Sequence, residues 1–150
     1  MNLASMMKKS LVLSALILAC FLQSGCLTYH TSWKKPEPRD DDHIVGRWQG
    51  SWISGHNGHK GKLRAVATHK EGNVYNFKFG ATYMLFLTAT YDVDFTILPG
   101  DNFDMLSGEA DLPGYMGGLY NYEGKIENKE FSSTYRSALD HGTFEMTKVD

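Results

Sequence analysis

Apolar and polar residues alternate with a period of two through nearly all of the chain after residue 44. In "VGRWQGSWI", Trp48, Gly50 and Trp52 share one face, and Arg47, Gln49 and Ser51 take the other. In "NVYNFKFGATY", Tyr75, Phe77, Phe79, Ala81 and Tyr83 oppose Asn76, Lys78, Gly80 and Thr82. "TATYDVDFTIL" sets Tyr91, Val93, Phe95 and Ile97 against Thr90, Asp92, Asp94 and Thr96. Tyr120, Tyr122 and Ile126, then Phe131 and Tyr135, then Phe144 and Met146 continue the rule. This is the pattern of strands with one buried face. The strings "SGHNGHKG", "KEGN", "LPGDN", "LPGYMGG", "IENKE" and "LDHG" separate the runs as turns. No segment of this span carries a helical stripe.

The pattern predicts an all-β domain over 44–150, with about eight antiparallel strands joined by short loops. So many short strands must protect their edges by closing into an up-and-down barrel or by folding as a β-sandwich. The barrel is favoured. Its interior would be filled by Trp48, Trp52, Phe77, Phe79, Tyr91, Phe95 and Phe144. A barrel of eight strands has room for little more than such side chains. A packed core is therefore expected rather than a deep calyx.

Two features carry a resemblance. Gly46-Arg47-Trp48 resembles the Gly-x-Trp signature of lipocalins, and the eight-strand meander resembles the wider calycin group, which includes avidins and fatty-acid-binding proteins. The resemblance implies a barrel that holds a small, mostly apolar ligand. The domain is shorter than a lipocalin and lacks the helix that follows the lipocalin barrel. The string Gly46-x-Trp48-x-Gly50-x-Trp52, followed by His59-x-Gly61-x-Leu63-Arg64-Ala65, is also similar to a group of uncharacterised bacterial exported proteins, which implies no activity.

The first 43 residues read differently. Lys8 and Lys9 precede an apolar run from Leu11 to Leu22, and the small residues Ser24 and Gly25 precede Cys26. This is the order of an export signal, expected over 1–25. The run is too short for a membrane span, which takes about 20 residues. Ser24-Gly25-Cys26 resembles the lipobox of bacterial lipoproteins, with Gln23 where that family prefers Leu, Val or Ile. The resemblance implies acylation of Cys26, which becomes the mature N-terminus. Ile17-Leu18-Ala19-Cys20 is a competing lipobox, and a plain cleaved signal peptide is a further alternative. Residues 26–43 form a tether, with Pro36, Pro38 and a run of three aspartates. Leu27 follows the cysteine, and by the family's sorting rule this favours the outer membrane over the inner.

Composition narrows the function. The chain has 2 cysteines, Cys20 and Cys26, so the domain has no disulfide to lean on. Loss of Lys8 and Lys9 from 15 basic residues leaves 13 against 17 acidic ones. Such a balance argues against binding nucleic acid. No nucleophile elbow or phosphate loop is present.

The expected role is therefore non-enzymatic binding of a small apolar ligand or an envelope protein. The five successive apolar residues Tyr83, Met84, Leu85, Phe86 and Leu87, with Trp48 and Trp52 in the sheet, are the expected surface. No cofactor is expected. His56, His59 and His141, with His69 on a neighbouring strand, are weak candidates for a metal or haem site. Asp92 with Asp94, and Glu109 with Asp111, have strand spacing that puts both carboxylates of each pair on one face. That is read as a solvent face rather than an acid–base pair, and an enzyme would need them inside the barrel. A purely structural envelope protein is the remaining alternative.

Overall fold

In the computed structural model, which describes residues 33–34, 42–83 and 87–149, the alternating segments become eight strands. They are β1 (Gly46–Ser54), β2 (Lys60–Glu71), β3 (Val74–Tyr83), β4 (Leu87–Leu98), β5 (Asp104–Asp111), β6 (Leu119–Glu127), β7 (Glu130–Arg136) and β8 (His141–Lys148). Each pairs antiparallel with the next, and β8 pairs with β1, so the sheet closes into an up-and-down barrel. A sandwich is ruled out by that closure. A single 3₁₀ turn, Gly114–Met116, lies between β5 and β6 within the "LPGYMGG" turn string.

The turns follow their sequences. Asn128 and Lys129 adopt φ of 49° and 67°, the left-handed pair that a two-residue hairpin needs to match strand twist. The seam between β1 and β8 passes through Gly50, where a Cβ would meet the Glu145 carbonyl oxygen at 1.9 Å. Only glycine lets the two backbones approach this closely.

Inward positions bury Trp48, Trp52, Leu63, Ala65, Ala67, Phe77, Phe79, Ala81, Val93, Phe95 and Ile97 on the first four strands. Leu106, Ala110, Tyr122, Ile126, Phe131, Tyr135, Phe144 and Met146 complete the core from the other four. Phe77 meets Trp48, Phe79, Phe95 and Phe131 at centroid distances of 5.2–6.4 Å, a continuous aromatic filling.

One end of the barrel is shut by the chain that enters it. The Ile44 N–H and the Tyr75 hydroxyl both donate to the Asp42 carboxylate, at 2.8 Å each. The Trp48 indole N–H donates to the Ile44 carbonyl at 2.9 Å, and Lys148 Nζ donates to the His43 carbonyl at 2.7 Å. His43 Nε2 lies 2.6 Å from Asp104 Oδ2. Ile44, buried among the core residues, is the plug. Outside the wall, Trp33 lies under the guanidinium groups of Arg64 and Arg47, 5.0 and 5.7 Å from its ring centre. The tether's large apolar residue is thus set against β1 and β2.

A tyrosine-lined mouth as candidate functional site

In an up-and-down barrel, the ends of odd strands and the starts of even strands gather at one end. That end carries five tyrosines, Tyr75 being at the plugged one: Tyr83 closes β3, Tyr91 lies near the start of β4, Tyr120 and Tyr122 open β6, and Tyr135 nears the end of β7. The phenylalanines Phe77, Phe95 and Phe131 lie toward the plugged end. Phenol tips need hydrogen-bond partners or water, whereas phenyl rings do not, so this division places the polar aromatic end where solvent can reach.

A cavity of about 30 Å³, partly open to solvent, occupies the mouth. Those five tyrosines line it together with Trp52, Ala81, Leu112, Met116, Asp140 and Phe144. Its volume corresponds to roughly two water molecules. Pockets that enclose a drug-sized ligand are of the order of 300–1,000 Å³, so neither such a ligand nor a porphyrin is enclosed here. The interior is filled by side chains.

Among the described residues, Asp140 is the one carboxylate at the cavity. Ser54 Oγ donates to its Oδ1 at 2.6 Å, the Tyr135 hydroxyl to its Oδ2 at 3.0 Å, and the His141 N–H to Oδ1 at 2.8 Å. Its own N–H donates to Ser137 Oγ at 3.1 Å, while its carbonyl accepts from the Ser137 N–H at 2.7 Å. The group is thus fixed by a tight turn and by the neighbouring β1. Among the described residues it forms no ion pair, and no Lys, Arg or His lines the cavity.

Burial favours the neutral form of four of these phenols. Burial pushes the Tyr122 hydroxyl well up, and burial with donation to Asp140 does the same for Tyr135. Burial and the nearby Tyr122 raise Tyr91 far above its ordinary value, and burial raises Tyr83. These groups can offer π faces and hydrogen bonds near neutral pH but no phenolate base.

The structure brings together only part of the expected surface. Trp52 packs on Tyr83 at a tilt of 44°, ring centres 4.6 Å apart, and its indole N–H donates to the Thr82 carbonyl at 3.2 Å. Tyr83 and Leu87 are exposed and directly paired across β3 and β4. Met84, Leu85 and Phe86, which connect them, lie outside the described residues, as do Cys20 and Cys26. Trp48 is not at this end. Four residues earlier on β1, it is fully buried beside the plug, against Phe77 and Phe131. Tyr91, Tyr120, Tyr122, Tyr135 and Asp140 were not picked out by sequence as a site, because their convergence depends on which strand ends meet.

The other candidates take solvent positions. His56, His59, His69 and His141 are exposed, and His69 lies against Gly72 and Tyr75 at the far end. Among the described residues, no group of three or more His, Cys, Asp or Glu side chains is placed to hold a metal ion. Asp92, Asp94, Glu109 and Asp111 point outward. Asp94 accepts from Lys70 and Asn76 at 2.7 and 2.8 Å, and Lys70 first and Asn76 next hold it below its ordinary value. The carboxylates are outside the barrel, so the paired acid–base reading is removed.

Fold and site together define a filled, one-ended β-barrel with an aromatic mouth. No protein-family model matches the chain, and no curated protein matches it. Among solved structures, Rv2717c from M. tuberculosis is similar at 11% identity, with a TM-score of 0.53 over 77% of this chain and 100% of that one. The fluorescent protein UnaG, as its N57A mutant, is 12% identical over 74% of this chain and 99% of that one, with a TM-score of 0.42. The first shares the barrel fold. The second is too distant to say more.

Proposed function

We propose that this protein is a lipid-anchored barrel of the bacterial cell envelope that binds a small ligand, without catalysis, at its tyrosine-lined mouth. The observation that supports this reading best is the mouth itself. One end of the barrel is plugged by Ile44, and the other presents Trp52 and five tyrosines around a small cavity open to solvent. The cavity admits the tip of a ligand, and the apolar body lies along the exposed rim. Lipid attachment rests on the lipobox-like "LQSGC", and the outer membrane on Leu27.

Mass spectrometry of the protein extracted from bacterial membranes tests both halves. The denatured chain is expected to begin at Cys26 and to carry acyl groups, and Cys26→Ser is expected to release it from the membrane. The native protein is expected to carry extra mass that is lost on denaturation and is reduced in a Tyr122→Ala variant. An unacylated chain, or acylation at Cys20, refutes the anchor. Native and denatured masses that agree refute the ligand.

A second reading has its own support. Ile53, Tyr83, Leu87, Tyr115, Leu119 and Leu139 are all large, exposed and clustered at the mouth end. Such a rim suits a docked envelope protein. That reading predicts concentration-dependent crosslinks through the rim and no small-molecule mass.

A further inference from the structure

The mouth differs from an ordinary apolar pocket in the direction of its hydrogen bonds. Tyr135 commits its hydroxyl proton to Asp140 at 3.0 Å, and Tyr120 commits its own to the Met116 carbonyl at 2.8 Å. A phenol has one proton to give, so the oxygens of Tyr120 and Tyr135 are left with only lone pairs to offer. Among the described residues, the Asp140 carboxylate is met only by neutral donors, Ser54, Tyr135 and the His141 N–H. The rings of Trp52 and the tyrosines add negative π faces. Among the described residues, no cationic side chain lines the cavity.

A site rich in acceptors, faced with aromatic rings and carrying an unbalanced carboxylate, suits a guest that is positively charged and only donates. An ammonium group has three donors and no acceptor. Size narrows the class. A cavity of about 30 Å³ holds a group comparable to one or two waters, which fits –NH₃⁺ and excludes the bulk of a trimethylammonium. Anions meet Asp140 and are repelled.

We propose that the mouth is a recognition site for the primary ammonium head of a small amphiphilic amine, held by Asp140 and the oxygens of Tyr120 and Tyr135 with its alkyl chain along Leu112, Met116 and Tyr83. This assignment rests on the reading of the mouth as a ligand site. It goes beyond that reading by giving the ligand a charge.

Three probes with one tail and three heads separate the two ideas: n-butylammonium, 1-butanol and butyrate, titrated at pH 7 into the full-length protein. The Trp52 indole N–H resonance is the reporter, because that ring lines the cavity. Butylammonium is expected to shift it at a concentration at least about tenfold lower than 1-butanol, as one desolvated cation–π or charge-assisted contact would give. Butyrate is expected to bind most weakly. Asp140→Asn is expected to bring the ratio of butylammonium to 1-butanol affinity close to one. Asp140 also builds its turn, so Tyr120→Phe, which removes an accepting oxygen and keeps the ring, serves as a second variant and is expected to cut the preference severalfold. Equal or stronger binding of 1-butanol or butyrate overturns the ammonium assignment and leaves the mouth as a ligand site. A preference that survives both variants also overturns it. If no probe shifts Trp52 at saturating concentration, the ammonium site and the mouth-binding reading both fall.

Discussion

Replacing Phe144 by Ala tests whether the barrel is filled. Phe144 is 5% exposed, forms part of the cavity wall, and packs on Tyr135, Phe79 and Tyr122 with ring centres 5.0, 5.6 and 5.8 Å apart. Truncating a buried Phe to Ala costs about 3–5 kcal/mol, and the loss of three aromatic contacts places this case in the upper half. A domain of this size has a total stability on the order of 5–15 kcal/mol, so the variant keeps its fold with little margin. At about 4–8 °C per kcal/mol, the melting temperature falls by roughly 16–40 °C.

The void left behind is apolar on most sides and continuous with the mouth. Such voids take up benzene. At ten times its dissociation constant, benzene is expected to restore about 1.4 kcal/mol to the variant. The wild-type barrel, already full, is expected to gain nothing. Urea unfolding with and without benzene is the assay. A loss under 1 kcal/mol, or stabilisation of the wild-type protein by benzene, would show that Phe144 does not fill the barrel and would refute the packed interior.

Three further outcomes follow from particular residues. Burial pushes the Asp42 carboxyl up, but hydrogen bonds from the Ile44 N–H, the Tyr75 hydroxyl and the Val45 N–H outweigh it and hold it below its ordinary 3.8. A depressed carboxylate stabilises the fold above its unfolded value and loses that contribution as pH falls through the folded one. Asp42→Asn is therefore expected to cost about 1.5–3 kcal/mol at pH 7, with the gap from wild type closing below pH 3.8; a gap that stays constant with pH would sink the plug's electrostatic role. Gly50→Ala drives a Cβ into the Glu145 carbonyl across the β1–β8 seam. Overpacking against backbone costs about 1–3 kcal/mol or more, and faster amide exchange along β8 is the expected signature. Asp94→Asn breaks an exposed pair with Lys70 and is expected to shift the urea midpoint by less than 1 kcal/mol equivalent; a larger loss would mean that the outer face is not a simple solvent face.

The sequence alone determined the strands and which side of each is buried. Period two is a local property, because successive Cβ atoms point to opposite faces of a strand whatever lies beyond it. Trp48 with Trp52, Phe77 with Phe79, and Val93 with Phe95 face inward for that reason, and the turn strings set where each strand ends. The outward positions of Asp92 and Asp94 were legible in the same way. Strand number and the need to protect edges then favoured closure.

The tertiary structure alone decided position along the barrel axis. Trp48 and Trp52 share a face and are separated only by Gly50 on it, yet one is sealed beside Ile44 and the other lines the mouth. Alternation is blind to height, since every inward residue gives the same local signal. Height is set by strand direction and register, which bring Tyr91, Tyr122 and Tyr135 together from three strands. Asp140 carried no signal beyond that of a turn residue. Its role appears only when Ser54, 86 positions earlier, closes onto it across the β1–β8 seam.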